Sequence, residues 1–150
     1  GYAGGYAAFG IKATHAGWKY KAPGIRLLSF SLEGEKELQR VETGRYQLDL
    51  VDLSDVEIDD KLALTGMELY HSAPCGSCHG GQGINSGSGA PDLRESLSLT
   101  DFETFKSLTK DGLLVDNGMP KFEDLSDSEI NAIYEYLRQR TKIAAADLKS

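Results

Sequence analysis

The segment Cys75-Gly76-Ser77-Cys78-His79 constrains this chain more than any other feature of its sequence. It contains both cysteines of the 150 residues. The spacing Cys-x-x-Cys-His is the pattern at which heme is covalently attached. It predicts thioether bonds from Cys75 and Cys78 and an axial iron bond from His79. We therefore expect one heme c.

Two other interpretations of Cys-x-x-Cys fit this chain less well. A closed zinc site needs four ligands, and the sequence has no second cysteine pair to supply them. A redox dithiol of the thioredoxin type occurs next to a βαβ pattern, which is missing here. If both sulfurs form thioethers, none remains for a disulfide, so the cysteines do not report the compartment directly.

Charge and hydropathy narrow the class of protein further. The net charge of −7 and the pI near 4.9 argue against nucleic-acid binding, which needs clustered Lys and Arg. An acidic surface instead favours a basic partner. No stretch approaches the roughly 20 apolar residues of a membrane helix, and the chain starts without a signal-peptide pattern. We expect a soluble chain that is either processed or cut from a larger protein.

The sequence divides into two unlike parts near residue 55. Residues 1–54 are predicted to be an extended segment with one or two short β-strands. Leu28, Phe30 and Leu32 alternate with serines, which is the period of a half-buried strand. One strand is not stable alone, so it pairs either with the alternating residues 46–50 or with a part of the protein outside this chain.

Residues 55–150 have the periodicity of helices. From Asp59 a helical face is predicted that ends at Ala73-Pro74, just before the heme motif. The residues of that face are Leu62, Gly66, Leu69 and Tyr70. A glycine-rich loop at residues 80–89 is expected to lie at the heme edge, because it lacks the ending of a phosphate-binding loop.

Two capping boxes predict the starts of the later helices. The first is Thr100 with Glu103, and the second is Ser126 with Glu129. The last helix has a core stripe at helical spacing, with Tyr136 on its flank: Ile130, Ile133, Tyr134 and Leu137. The tail from residue 142 is expected to fray. The predicted fold is mainly α, with three to four helices around one heme c.

The sixth iron ligand is predicted to be Met119. It lies in a non-helical segment between Gly118 and Pro120, which favour an extended backbone able to place a thioether on a metal. Met67, the other methionine, lies in a predicted helix and is expected in the core. His71 is too close to the heme motif, and His15 lies in the irregular leader. An axial pair of His and Met fills both iron positions, which indicates electron relay rather than chemistry at the iron.

Other residues are candidates for the surroundings of the heme. The backbone carbonyl of Pro91 is expected to accept the second ring N–H of His79 and fix the imidazole. Leu93, Leu113 and Phe122 either wall the heme against water or belong to the ordinary core. Arg94 either pairs with a heme propionate or is a solvated arginine.

These motifs, taken together over residues 59–140, resemble a class I c-type cytochrome domain. The matching segments are the heme motif, residues 91–94, residues 118–122 and the last helix. The resemblance implies the cytochrome c fold, heme c, the axial pair His79 and Met119, and the role of the Pro91 carbonyl. It also implies that the first and last helices cross at a glycine and an aromatic residue, Gly66 with Tyr136 or, less well, Tyr134.

Residues 118–130 are more specifically similar to the C-terminal cytochrome of quinohemoprotein alcohol dehydrogenases, which use pyrroloquinoline quinone (PQQ). Residues 26–34 resemble the closing propeller strand before the cytochrome in those enzymes. This resemblance implies a periplasmic location and a PQQ dehydrogenase domain as the electron donor. Its PQQ, calcium and catalytic residues would lie outside these residues. The expected acceptor is another cytochrome, a copper protein or a terminal oxidase.

Two alternatives stay open at this point. One is a free-standing soluble shuttle cytochrome with residues 1–54 as a private extension. The other, from a different class, is a heme enzyme or gas sensor with an open sixth iron position. The position of Met119 relative to the heme distinguishes this last alternative from electron relay.

Overall fold

A computed structural model describes residues 32–35, 37, 48–84 and 90–149 of the chain. Its α-helices, in chain order, are α1 (Asp60–Ser72), α2 (Cys75–His79), α3 (Phe102–Thr109) and α4 (Asp127–Asp147). Single turns of 3-10 helix lie between them at Gly81–Gly83, Leu93–Glu95, Leu97–Thr100 and Val115–Asn117. This part of the chain is mainly α, as predicted.

The predicted strands fall almost wholly outside the described residues. Leu28 and Phe30 are not described, and Leu32 is in a turn. Of residues 46–50, the structure describes 48–50, which have no regular secondary structure. The strand expectation therefore stays a prediction.

Helix α1 begins and ends where the sequence predicts. The Asp59 carboxylate accepts hydrogen bonds from the backbone N–H groups of Lys61 and Leu62, which have no partner inside the helix. The helix ends at Ser72, and Pro74 follows. Ala63, Gly66 and Tyr70 are buried at intervals of three and four residues, so one face of α1 enters the core.

The predicted capping box of α3 is wrong by one residue. Asp101, not Thr100, is the N-cap, and its carboxylate accepts the backbone N–H of Thr104 at 2.7 Å. Thr100 ends the preceding 3-10 turn, where its hydroxyl donates to the Leu97 carbonyl. Threonine and aspartate side chains are both able to cap a helix. Asp101 is the cap here because Thr100 already belongs to the preceding 3-10 turn.

Helix α4 confirms one prediction and corrects another. The capping box of Ser126 and Glu129 is present, with both of its reciprocal hydrogen bonds. The expected fraying from residue 142 is wrong, because the helix continues to Asp147. Thr141 is buried, and the Lys142 ammonium donates to the backbone carbonyl of Val56. These contacts with the rest of the fold stabilise the last turns.

The core confirms the predicted stripe of α4. Its buried apolar residues are Val51, Leu53, Tyr70, Leu99, Phe105, Ile130, Ile133, Tyr134, Tyr136 and Leu137. Ile130 and Leu137 are each 1% exposed, and burying such a side chain stabilises the fold by about 2 kcal/mol. The expectation that Met67 lies in this core is wrong. Its side chain is 36% exposed, while the face of α1 that enters the core is formed by Ala63, Gly66 and Tyr70.

Helices α1 and α4 cross with their backbones in contact. A Cβ atom built on Gly66 would lie 1.8 Å from the carbonyl oxygen of Ala132. The expected pairing of Gly66 with Tyr136 or Tyr134 is therefore corrected, since Gly66 faces the backbone of Ala132 and Ile133. The Tyr136 ring instead contacts the Tyr70 ring, with 5.5 Å between the ring centroids. None of the helices in the described ranges combines the length and hydropathy of a bilayer span.

We predict that Gly66→Ala lowers the free energy of unfolding by about 2 kcal/mol, because the added methyl group overpacks the helix crossing. Urea denaturation of the heme-loaded protein measures this loss. Gly81→Ala is the matched control, since a Cβ at Gly81 meets no atom within 4 Å. We expect that variant to stay within about 0.5 kcal/mol of the parent protein. Equal losses from the two variants would contradict the helix crossing described here.

Candidate heme-binding site

Helix α2 presents both cysteines and the histidine of the heme motif within five residues. The two cysteines do not form a disulfide with each other, with Cys75 partly buried against the core and Cys78 exposed. Burial raises the pKa of the Cys75 thiol to about 11, so this thiol is protonated at neutral pH. Cysteine side chains at this spacing before a histidine are the groups that form thioethers to heme.

The His79 imidazole is buried and fixed by one hydrogen bond. Its side chain is 8% exposed, and its Nδ1 lies 2.9 Å from the carbonyl oxygen of Pro91, as predicted. A carbonyl only accepts, so Nδ1 carries the proton. Burial lowers the pKa of the imidazole, which favours the neutral ring, although the bond to Pro91 acts in the opposite direction. In that tautomer Nε2 has the lone pair that binds a metal.

A buried tyrosine fixes the backbone directly after His79. The Tyr70 hydroxyl donates a 2.7 Å hydrogen bond to the carbonyl oxygen of Gly80. Burial raises the pKa of Tyr70, so the hydroxyl keeps its proton and remains a donor. Gly83 has a positive φ of 74°, and a Cβ there would lie 2.9 Å from Leu137. The start of the glycine-rich loop is therefore packed tightly on α4.

Arg94 forms a buried ion pair with Asp92. Its Nε and one terminal nitrogen donate to the two carboxylate oxygens at 2.9 and 2.8 Å, and its backbone N–H donates to the same carboxylate. The Asp92 and Arg94 residues are 2% and 8% exposed. The alternative of a solvated Arg94 is thus wrong, while its contact with a propionate stays a prediction. The pattern Pro-Asp-Leu-Arg contains both partners, although the ion pair between Asp92 and Arg94 was not predicted.

Met119 lies in a loop with a defined backbone. Gly118 before it has a left-handed conformation with φ of 90°, and the Met119 N–H donates to the Leu114 carbonyl at 3.2 Å. The side chain of Met119 is partly buried. The loop is closed from its other side by the Phe122 N–H, which donates to the Thr109 carbonyl. Met119 is therefore held outside any helix, as predicted.

The other predicted neighbours of the heme differ in burial. Leu93 and Phe122 are partly buried, and Leu93 contacts the core. Leu113 is 69% exposed, so it is not an ordinary core residue. His71 is exposed at the end of α1, and His15 lies outside the described residues.

The donor set of these residues fits heme c. Two cysteine side chains and a hydrogen-bonded imidazole lie on one short helix, in the order that thioether formation and axial ligation would require. Over the described ranges, no three His, Cys, Asp or Glu side chains are grouped so that they could hold a metal ion. The protein groups of the heme motif thus fit a porphyrin better than a zinc site made of side chains alone.

Comparison with known proteins gives a family and one relative. Residues 61–137 match the family model of cytochrome c oxidase, cbb3-type, subunit III. The chain is also 32% identical over 115 residues to lupanine 17-hydroxylase [cytochrome c] from Pseudomonas sp. That alignment covers 77% of this chain and 16% of the relative. The chain therefore spans less than a fifth of the length of that protein.

The chain contains a cytochrome c domain and belongs to the family whose model it matches over residues 61–137. Membership of this family explains the fold and the heme motif together. A cytochrome c domain carries heme c and transfers electrons through it. Heme-mediated electron transfer is thus the activity of this domain, and it implies protein partners that donate and accept electrons.

Proposed function

We propose that this domain relays single electrons from a PQQ-dependent alcohol or sugar dehydrogenase domain to an external acceptor. The observation that carries the proposal is the buried His79, whose Nδ1 lies 2.9 Å from the Pro91 carbonyl oxygen and which shares a short helix with Cys75 and Cys78. When bound, heme c supplies a one-electron redox centre. The protein would hold the heme covalently, fix the iron ligands and exclude reactants from the iron.

Specific residues have distinct roles in this proposal. Cys75 and Cys78 bind the heme covalently through thioethers. His79 and Met119 are the axial iron ligands, and the Pro91 carbonyl orients the His79 ring. Residues that cover the heme or pair with a propionate come from the neighbouring loops: Leu93, Arg94 and Phe122. The terminal nitrogen of Arg94 that is not bonded to Asp92 is the one proposed to meet a propionate.

The proposed donor is a dehydrogenase domain, and three observations support it. The relative has a name that joins a hydroxylase to a cytochrome c, and the chain corresponds to 16% of it. Residues 26–34 resemble a closing propeller strand of quinohemoprotein dehydrogenases, and residues 118–130 resemble their cytochrome. We propose that residues 1–54 are the end of such a propeller plus a linker, and that the catalytic site, PQQ and calcium lie outside this chain.

The proposed acceptor is a redox protein with basic residues around its own redox centre. The loop that carries Met119 exposes two apolar side chains, Leu113 at 69% and Val115 at 51%. Exposed carboxylates lie in and around the same loop: Asp111, Asp116, Glu123 and Asp124. Lys121 pairs with Glu123 in this loop, and the remaining carboxylates leave a net acidic rim around the apolar centre. Such a surface fits a basic partner, such as another cytochrome, a copper protein or a terminal oxidase. We propose a periplasmic location, where proteins of this kind meet such acceptors.

Heme attachment is tested in a host that attaches heme to c-type cytochromes. We expect the parent protein to keep its heme after acid–acetone extraction and to show one heme per chain by the pyridine hemochrome assay. Cys75→Ala with Cys78→Ala should release the heme completely, because no thioether remains. Each single variant should retain it through one bond. Extraction of heme from the parent protein would end the proposal of covalent attachment.

Met119→Ala is expected to remove the Met-to-iron charge-transfer band of the ferric protein. It should also lower the midpoint potential by at least about 59 mV, a tenfold shift of a one-electron equilibrium. Met67→Ala is the matched control, because Met67 is the other methionine and lies exposed on α1. That variant should leave band and potential unchanged. Ready binding of carbon monoxide by the reduced parent protein would instead support a heme enzyme or sensor with an open sixth position.

Leu113→Ser with Val115→Ser is expected to slow electron transfer to a lysine-rimmed cytochrome about fivefold, since about 1 kcal/mol of docking contact is lost. Stopped-flow absorbance measures the rate constant, which should also fall as salt is added. Leu64→Ser is the control, because Leu64 is exposed on α1 rather than in this loop. Equal rates in both variants, with unchanged midpoint potentials, would exclude the loop as the docking surface.

A further inference from the structure

Residues 48–56, which we name the strap, precede α1 and are built into the helical domain. Val51 and Leu53 are buried in the core, 9% and 4% exposed. Val56 is partly buried against the same core. Burying one such side chain contributes about 2 kcal/mol, so the strap stays bound to the domain. The core thus includes residues before the predicted domain boundary at 54 and 55.

The strap is hydrogen-bonded to the segment that holds the heme-binding histidine. The Val51 N–H donates to the Arg94 carbonyl at 3.1 Å. Two residues earlier, the Asp49 N–H donates to a carboxylate oxygen of Glu95 at 2.8 Å. The strap therefore contacts the end of the 3-10 turn Leu93–Glu95 through two bonds of different kinds.

The turn Leu93–Glu95 lies between the strap and Pro91, the residue that binds His79. Asp92 caps the turn and binds the Arg94 backbone and guanidinium, so hydrogen bonds between these two buried residues fix residues 92–94 in one arrangement. Pro91 immediately precedes these residues, and its carbonyl accepts the His79 Nδ1–H. Proline limits the freedom of that carbonyl further, because its φ is fixed by the ring.

The other end of the strap is fastened to α4. The Lys142 ammonium donates to the carbonyls of Val56 and Ser54. Just beyond the strap, the Asp59 N–H donates to the Glu135 carboxylate at 3.3 Å. The strap is thus held at both ends, so the part of the proposed linker that it contains is bound to the domain rather than flexible.

We propose that the strap is a positioning element for the proximal iron ligand, and that it sets the heme potential through the bond from His79 to Pro91. This inference rests on the proposed heme site. A hydrogen bond at Nδ1 raises the basicity of a ligating imidazole and favours the oxidised metal. Loosening the strap therefore weakens that bond and raises the midpoint potential. Because the chain before residue 48 enters through the strap, a domain attached there acts on the same bond.

Val51→Pro tests the proposal, because proline removes the N–H that binds Arg94 and changes no charge. We expect about a threefold shift of the redox equilibrium toward the reduced form, which is about 28 mV for one electron. Solvent exchange of the His79 Nδ1–H, followed by NMR of the reduced protein, should become faster. A role of the strap in stability alone would change neither the potential nor this exchange in the folded protein.

Ser54→Pro is the matched control within the strap. Ser54 follows Leu53 in a turn in which the Val56 N–H donates to the Leu53 carbonyl, a position that accepts proline. Its own N–H donates to the exposed Asp52 carboxylate and not to the proximal segment. We expect this variant to have the same midpoint potential and the same exchange rate of the His79 Nδ1–H as the parent protein.

A second pair of variants decides the question if Val51→Pro fails to fold. Glu95→Gln removes the charge but keeps an oxygen for the Asp49 N–H, whereas Glu95→Ala removes both. A higher potential and faster exchange in Glu95→Ala than in Glu95→Gln would support the proposal. The proposal would be overturned if the midpoint potential and the exchange rate of the His79 Nδ1–H were unchanged in Val51→Pro and did not differ between Glu95→Ala and Glu95→Gln, with covalent heme present by the hemochrome assay. A parent protein without heme would overturn the proposed function and this inference together, and the same assay identifies that case.

Discussion

The backbone contact between α1 and α4 is the constraint on which the rest of the structure depends. Gly66 lets the two helices approach so closely that a Cβ atom at this position would lie 1.8 Å from the carbonyl oxygen of Ala132. Helix α2 follows α1 directly in the chain. The glycine-rich loop after α2 packs on Leu137, and Lys142, further toward the C-terminus of α4, binds the strap. A side chain at the crossing would displace all these contacts at once.

The heme-binding side of the fold depends on polar groups that are buried with their partners. His79 donates to Pro91, Tyr70 donates to Gly80, and Asp92 is paired with Arg94. Each of these groups would be costly to bury alone, because an unsatisfied polar atom loses its water without replacement. Together they hold the imidazole in one orientation before any electron moves, and such preorganisation favours electron transfer with little rearrangement.

The features that sequence reasoning missed depend either on a choice among several possible partners or on contacts between distant residues. The partner of Arg94 was not predicted, since Arg at this spacing is compatible with a propionate, a carboxylate or water. Met67 was expected in the core because its helix packs against the last helix, whereas its side chain is 36% exposed. The last turns of α4 have a weak local signal, and their contacts with the strap stabilise them. None of these outcomes follows from local periodicity alone.

Local chemistry determined the helical class, the core stripe of α4 and the caps at Asp59 and Ser126, and it predicts the cofactor and the axial histidine. Each of these depends on residues within a few positions of one another. The tertiary structure alone decided which backbone meets Gly66, what neutralises Arg94, and that the strap reaches the turn behind Pro91. Some of these contacts join residues that are 40 or more positions apart in the sequence. The others are choices among several partners, each of which is compatible with the local sequence. Such choices are made by packing, since all the groups compete for the same buried space.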